Sequence, residues 1–82
     1  MKRIVDNTLK NITGSEIKRY REAAGMTQAE LSHRLEVNAV YVCRGSISRI
    51  EQGVRIVSDI ELKGISNVLN VPIGAFFQEQ QT

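Results

Sequence analysis

The chain has one cysteine, one histidine, one proline and no tryptophan. A lone Cys43 excludes an intramolecular disulfide framework. With a single histidine, His33, beside it, there is no ligand set for a structural zinc, and no metal or cofactor is expected. No apolar run approaches the roughly 18 residues of a membrane span. The start, MKRIVDNTLKN, is basic, but its apolar part is too short for a signal peptide. The chain therefore reads as soluble and cytoplasmic, with neither a membrane nor a small-molecule ligand as partner. Enzyme constellations are missing as well. There is no Cys–His or Ser–His–Asp set in plausible proximity, no phosphate-cradling glycine loop and no pair of catalytic carboxylates. An enzyme is not expected.

What is present is a short, helical, unevenly charged chain. Its 82 residues suit one domain, small enough that dimerisation would help it. The net charge is only +2, yet residues 1–55 hold ten of the eleven Lys and Arg against six acids, whereas 56–82 hold Lys63 against Asp59, Glu61 and Glu79. One end suits a polyanion; a solvated surface of uneven charge is the plainer alternative.

Residues 1–12 form an N-terminal arm that reads equally as strand, helical turn or frayed tail. Its Lys2, Arg3 and Lys10 are exposed lysines and arginine that can also reach phosphates. A first helix is expected from Thr13, where Thr13 and Glu16 make a capping box, to Gly25, with Ile17, Tyr20, Ala24 and Arg21 on one face. A second helix, about 28–35, starts with a box of Thr27 and Glu30 and carries the apolar pair Leu31 and Leu35. The connection 36–43 is long and apolar (Val37, Ala39, Val40, Tyr41, Val42), so it is expected to pack on the domain, with Asn38 available to cap an irregular turn. A third helix, about 44–52, ends at Gly53. A fourth, 59–69, opens on a Ser58–Glu61 box, turns Ile60, Ile65, Val68 and Leu69 inward, and closes at a left-handed Asn70. Pro72 suits the first turn of a short fifth helix holding Ile73, Phe76 and Phe77. The tail 78–82 is polar. The helical domain is thus 13–77.

The third helix has an apolar back, Ile47 and Ile50, and an outward row of Arg44, Ser46, Ser48, Arg49 and Gln52. Cations and hydrogen-bond donors on a slim helix suit the major groove of DNA. An adaptor module that keeps the fold without reading sequence, antitoxin-like in plan, is the alternative, favoured by the long connection and by Gly45.

The run IKRYREAAGMTQAELSHRL, then ISRIEQG, then DIELKGISNVLNVPIGAFF resembles the Cro/phage-repressor type of helix-turn-helix domain, also called the xenobiotic-response-element family. The resemblance spans roughly 13–77 and implies an all-α, five-helix, lambda-repressor-like domain. It further implies a transcriptional regulator that binds double-stranded DNA as a homodimer on an inverted repeat. The segment from Leu35 to Ile47 is longer than the family pattern, just where the turn delivers the recognition helix, and Cys43 falls at that helix's N-cap position.

Carried over residue by residue, the resemblance makes Arg44, Ser46, Ser48 and Arg49 the base-contacting set, with phosphate contact as the rival for both arginines. Thr27, Gln28, Gln52 and Arg55 become phosphate contacts. For Thr27 capping comes first, and for Arg55 a plain surface charge is the rival. Arg21 and Glu51 pair across helices one and three, a structural role. Ile73, Phe76 and Phe77 supply core closure and a dimer contact. Tyr41 is expected to pack within the long connection rather than to touch phosphate.

Overall fold

The computed structural model describes residues 9–77, so the readings placed on Lys2, Arg3 and the tail 78–82 lie outside the described residues. Four α-helices follow one another: α1, Gly14–Ala23; α2, Gln28–Val37; α3, Arg44–Glu51; and α4, Asp59–Leu69. The short fifth helix is a 3-10 helix, Ile73–Phe77. No strand occurs among the described residues, and the all-α class stands.

Local chemistry explains most of the boundaries. Thr27 and Ser58 cap α2 and α4, each in a reciprocal box with Glu30 or Glu61. All four helices end the same way. In each, one amide reaches back across the last turn to close a Schellman motif: Met26 to Arg21, Val40 to Leu35, Val54 to Arg49 and Val71 to Ser66. The residue that must turn left-handed is Gly25, Ala39, Gly53 or Asn70. Ala39, at φ 64°, is the one with an unsuitable side chain, which is why the sequence does not announce this stop. It also makes α2 longer than expected. Helix α2 absorbs Glu36 and Val37, and Asn38 becomes its C-cap, with Nδ2 donating to the Arg34 carbonyl at 2.8 Å.

The start of α1 differs from the expected box. Thr13 already has helical backbone angles, φ −102° and ψ −12°, and its side chain makes no cap. Asn11 does the capping: its Oδ1 accepts from the amides of Thr13 at 3.0 Å and Gly14 at 2.7 Å. Glu16 is released from that task and accepts from Arg19 at 2.7 Å.

The core is a single cluster around Ile17, Leu31, Leu35, Ile47, Ile50, Ile65 and Phe76, all but sealed from solvent. Tyr20 meets Phe76 edge to face at 5.8 Å between ring centroids. Two of the expected inward positions differ. Ala24 lies past the packed face of α1 and is exposed. Ile60 is 70 % exposed, because Leu62, Ile65, Ser66 and Leu69 form the inner face of α4. Phe76 is entirely buried within its own domain, so its side chain cannot meet a second copy, leaving half-buried Ile73 and exposed Phe77 at that end. No buried side-chain nitrogen or oxygen among the described residues lacks a hydrogen-bond partner.

Candidate nucleic-acid interface

Helices α2 and α3 pack together, and α3 is fixed from behind by one buried carboxylate. Glu51 accepts from Arg21 twice, Nε to Oε2 at 2.6 Å and Nη2 to Oε1 at 3.0 Å, and from Gln28 Nε2 at 3.0 Å. Arg21 also donates through Nη1 to the Met26 carbonyl at 2.7 Å. One charge-assisted cluster thus joins α1, the start of α2 and the end of α3. The hydrogen bond with Glu51 raises the Arg21 pKa above its ordinary value, against the opposing effect of burial.

A second brace comes from the N-terminal arm. Asn11 Nδ2 donates to the Ile50 carbonyl at 3.0 Å and the Arg55 carbonyl at 2.8 Å, and the Lys10 amide donates to the Gly53 carbonyl at 2.7 Å. The Asn11 side chain therefore caps α1 and ties down the exit of α3 at once. Next to it, Gly14 lets the two helices touch: a Cβ there would stand 2.0 Å from the Ile50 oxygen. Sequence reasoning missed both residues. The signal that existed was an asparagine, a strong capping type, shortly before a helix.

The front of α3 is left to solvent. Arg44 is exposed and has no partner among the described residues. Arg49 folds back along the helix: Nη2 donates to Ser46 Oγ at 3.2 Å, and its guanidinium lies near Gly45, where a Cβ would be 3.5 Å from Nη1. This carries the Arg49 charge toward the N-terminal end of α3, where Arg44 stands. Ser48 Oγ accepts from Gln52 Nε2 at 2.9 Å on the same exposed side. Cys43, at the N-cap position with extended backbone, points its thiol at Ser46 Oγ, 3.4 Å away. The Ser46 hydroxyl, then its amide, hold that thiol below the usual cysteine range.

The remaining candidates divide. Thr27 is exposed, its Oγ occupied by the Glu30 amide at 3.0 Å. Gln28 reaches Glu51 and is half-buried. Arg55 turns away from α3: Nη1 and Nη2 donate to the two carboxylate oxygens of Glu61, each at 3.0 Å, and Nη1 also donates to the Ile56 carbonyl. Its role in this geometry is to strap the segment after α3 to the start of α4, rather than to stand free for phosphate. Tyr41 does not pack in the connection; it is 75 % exposed.

Among the described residues no cluster of His, Cys, Asp or Glu is arranged to hold a metal ion, and no helix is long and apolar enough to cross a membrane. No match to a curated protein was found. The helix-turn-helix family model matches residues 17–76, most of the chain and the whole of α2, α3 and α4, so the chain belongs to the Cro/C1-type helix-turn-helix family of DNA-binding transcription regulators.

Proposed function

We propose that this chain is a sequence-specific regulator that binds an inverted-repeat operator as a homodimer, with α3 in the major groove. The observation that carries the reading is the contrast between the two sides of α3. Its back is locked by the Arg21–Glu51–Gln28 cluster, while its front offers Arg44, Ser46, Ser48 and Arg49, with no carboxylate among the described residues bonded to either arginine. A rigid helix with unneutralised arginines is equipped for bidentate donation to guanine O6 and N7. Thr27, Gln28 and Gln52 flank that front and supply phosphate contacts that set its register. Arg55 adds a phosphate contact only by exchanging Glu61 for it. Half-buried Ile73 and exposed Phe77 supply the apolar contact between copies. A two-fold dimer then reads half-sites about one helical turn apart, roughly 34–36 Å.

The test is selection from a pool of random duplexes, repeated with Arg44→Ala. Enrichment of an inverted repeat by the wild-type chain, with specificity relaxed at one base pair by the variant, supports the reading. Retention of duplexes without enrichment of any sequence overturns it in favour of a module that keeps the fold without readout.

A further inference from the structure

The lengthened connection 38–43 is a built feature and not slack chain. Val40 packs its two methyl groups against Gly64 of α4, where a Cβ would lie 3.0 and 3.3 Å from them. Val42 is buried, and its carbonyl accepts from Ser32 Oγ at 2.7 Å. Tyr41, between these two anchors, is held outward, and burial alternates from Val40 to Cys43. Its hydroxyl bonds to none of the described residues.

The direction in which Tyr41 stands matters. Like Tyr41, Cys43 (two residues on) is exposed, and its sulfur lies 3.4 Å from Ser46 Oγ, which in turn accepts from Arg49 at 3.2 Å. Exposed Tyr41 stands two residues ahead of Cys43, the N-cap of α3, and so at the N-terminal end of the helix where Arg44 begins.

We propose that Tyr41 is a DNA-contacting residue whose phenol hydroxyl donates to a backbone phosphate at the edge of the half-site that faces the N-terminal end of α3. The inference rests on the reading of α3 given above. Three features favour it. Residues just ahead of a recognition helix stand where the groove wall, and so the sugar–phosphate chain, rises. Tyrosine is among the side chains that donate to phosphate, and its ring has only two torsions to immobilise. The exposed residues that follow it into α3 bring a thiol and an arginine, Cys43 and Arg44, a setting for a polyanion; the anchor of a protein–protein interface sits instead in an apolar, desolvated centre.

The experiment titrates the full chain and its Tyr41→Phe, Tyr41→Ala and Arg44→Ala variants against the selected operator and its single-base variants. Phosphate-ethylation interference and a thermal melt accompany each. Tyr41→Phe is expected to bind roughly 2- to 10-fold more weakly, the worth of one hydrogen bond, and Tyr41→Ala at least as weakly. The loss is the same on every base variant, and the melting temperature is unmoved because the side chain is exposed. The dependence of affinity on salt keeps its slope, since no charge is removed, whereas loss of a phosphate-neutralising cation flattens it. One ethylated phosphate outside the bases read by α3 hinders the wild-type chain and not Tyr41→Phe. If Arg44→Ala loses selectivity but both Tyr41 variants bind like wild type, the Tyr41 contact falls and the reading of α3 stands. If Tyr41→Ala weakens self-association while ethylation interference is unchanged, the residue faces protein, and the proposal is overturned. If the wild-type chain retains no duplex at all, both fall together.

Discussion

Replacing Gly14 with alanine separates two accounts of this fold by sign. Gly14 opens α1, and helix propensity alone favours alanine over glycine by up to about 1 kcal/mol. The tertiary structure opposes it. The new Cβ would lie 2.0 Å from the Ile50 carbonyl oxygen, which is backbone and cannot rotate away, and 3.1 Å from Asn11 Oδ1. Helix α1 must therefore move off α3, or the exit of α3 must move. Overpacking of this kind costs about 1–3 kcal/mol and sometimes more. The displacement also strains the Asn11 bonds to Ile50 and to the α1 amides, each worth about 1 kcal/mol. Allowing for propensity, the net loss is about 2–3 kcal/mol.

That is a large share of the stability of so small a domain, on the order of 4–12 kcal/mol at the usual value per residue. With a urea dependence of about 1 kcal/mol per molar, the unfolding midpoint should fall by about 2–3 M. The melting temperature should drop by about 10–20 °C. Gly74→Ala is the control: nothing lies within 4 Å of its Cβ position, so it should melt within about 0.5 kcal/mol of wild type. A Gly14→Ala chain that melts with the control, or above it, would refute the claim that α1 and α3 are in backbone contact.

Arg21→Ala should destabilise by about 3–5 kcal/mol, because it leaves the Glu51 carboxylate buried with only Gln28 to satisfy it; denaturant melts check this, and near-wild-type stability would dissolve the brace. Ala39→Gly should stabilise by about 0.5–1 kcal/mol in the same melts. The strain of a left-handed alanine, about 1–2 kcal/mol, outweighs the extra freedom glycine brings to the unfolded chain. In acid, stability should decline as the pH falls through the lowered pKa of Glu61, which its hydrogen bonds from Arg55, and then the Ser58 amide, hold below the usual carboxylate value. A group depressed in the folded state contributes above its unfolded pKa and loses that contribution below its folded one, so Glu61→Gln should flatten the acid limb of a pH–stability curve.

What could be read from the sequence was what the sequence decides locally. The boxes of Thr27 with Glu30 and Ser58 with Glu61, and the stops at Gly25, Gly53 and Asn70, each need only residues within one turn. The motif order, from Arg21 through Gln28 to Ile47 and Gly53, sufficed to place the chain in its family. The failures were non-local. Thr13 with Glu16 fits the box pattern, but the arm enters α1 along a path fixed by Asn11 bonding to Ile50 and Arg55, some forty positions away in sequence, and that path puts Thr13 in helical geometry. The end of α2 was unreadable because alanine, not glycine, takes the left-handed turn, stabilised by Val40 packed on Gly64. Ile60 misled for a related reason: an apolar residue on a helix says nothing about which rotation the neighbours impose.

The charge pattern shows how pairing, more than net charge, determines the face a polyanion would meet. The chain carries only +2 overall. Yet Arg19, Arg21 and Arg55 are each held by a carboxylate, Glu16, Glu51 and Glu61 respectively. Each pair is close to neutral, so it adds little field at the front of α3. Arg44 has no bonded acid among the described residues, and Arg49 bonds only a neutral hydroxyl. Two open positive charges thereby stand on the front of one helix. Buried Glu51 shows the same arrangement: the one carboxylate of α3 is engaged on its inner side, where it holds the helix in place without neutralising the arginines that face out. Moving a single acid to the front, as in Ser48→Glu, would place it one helical turn from Arg44 and pair it there. Binding to the selected operator should then fall well beyond what Ser48→Ala causes, with the fold intact. Equal losses from the two variants would mean that the open charge of Arg44 is not what the front of α3 contributes.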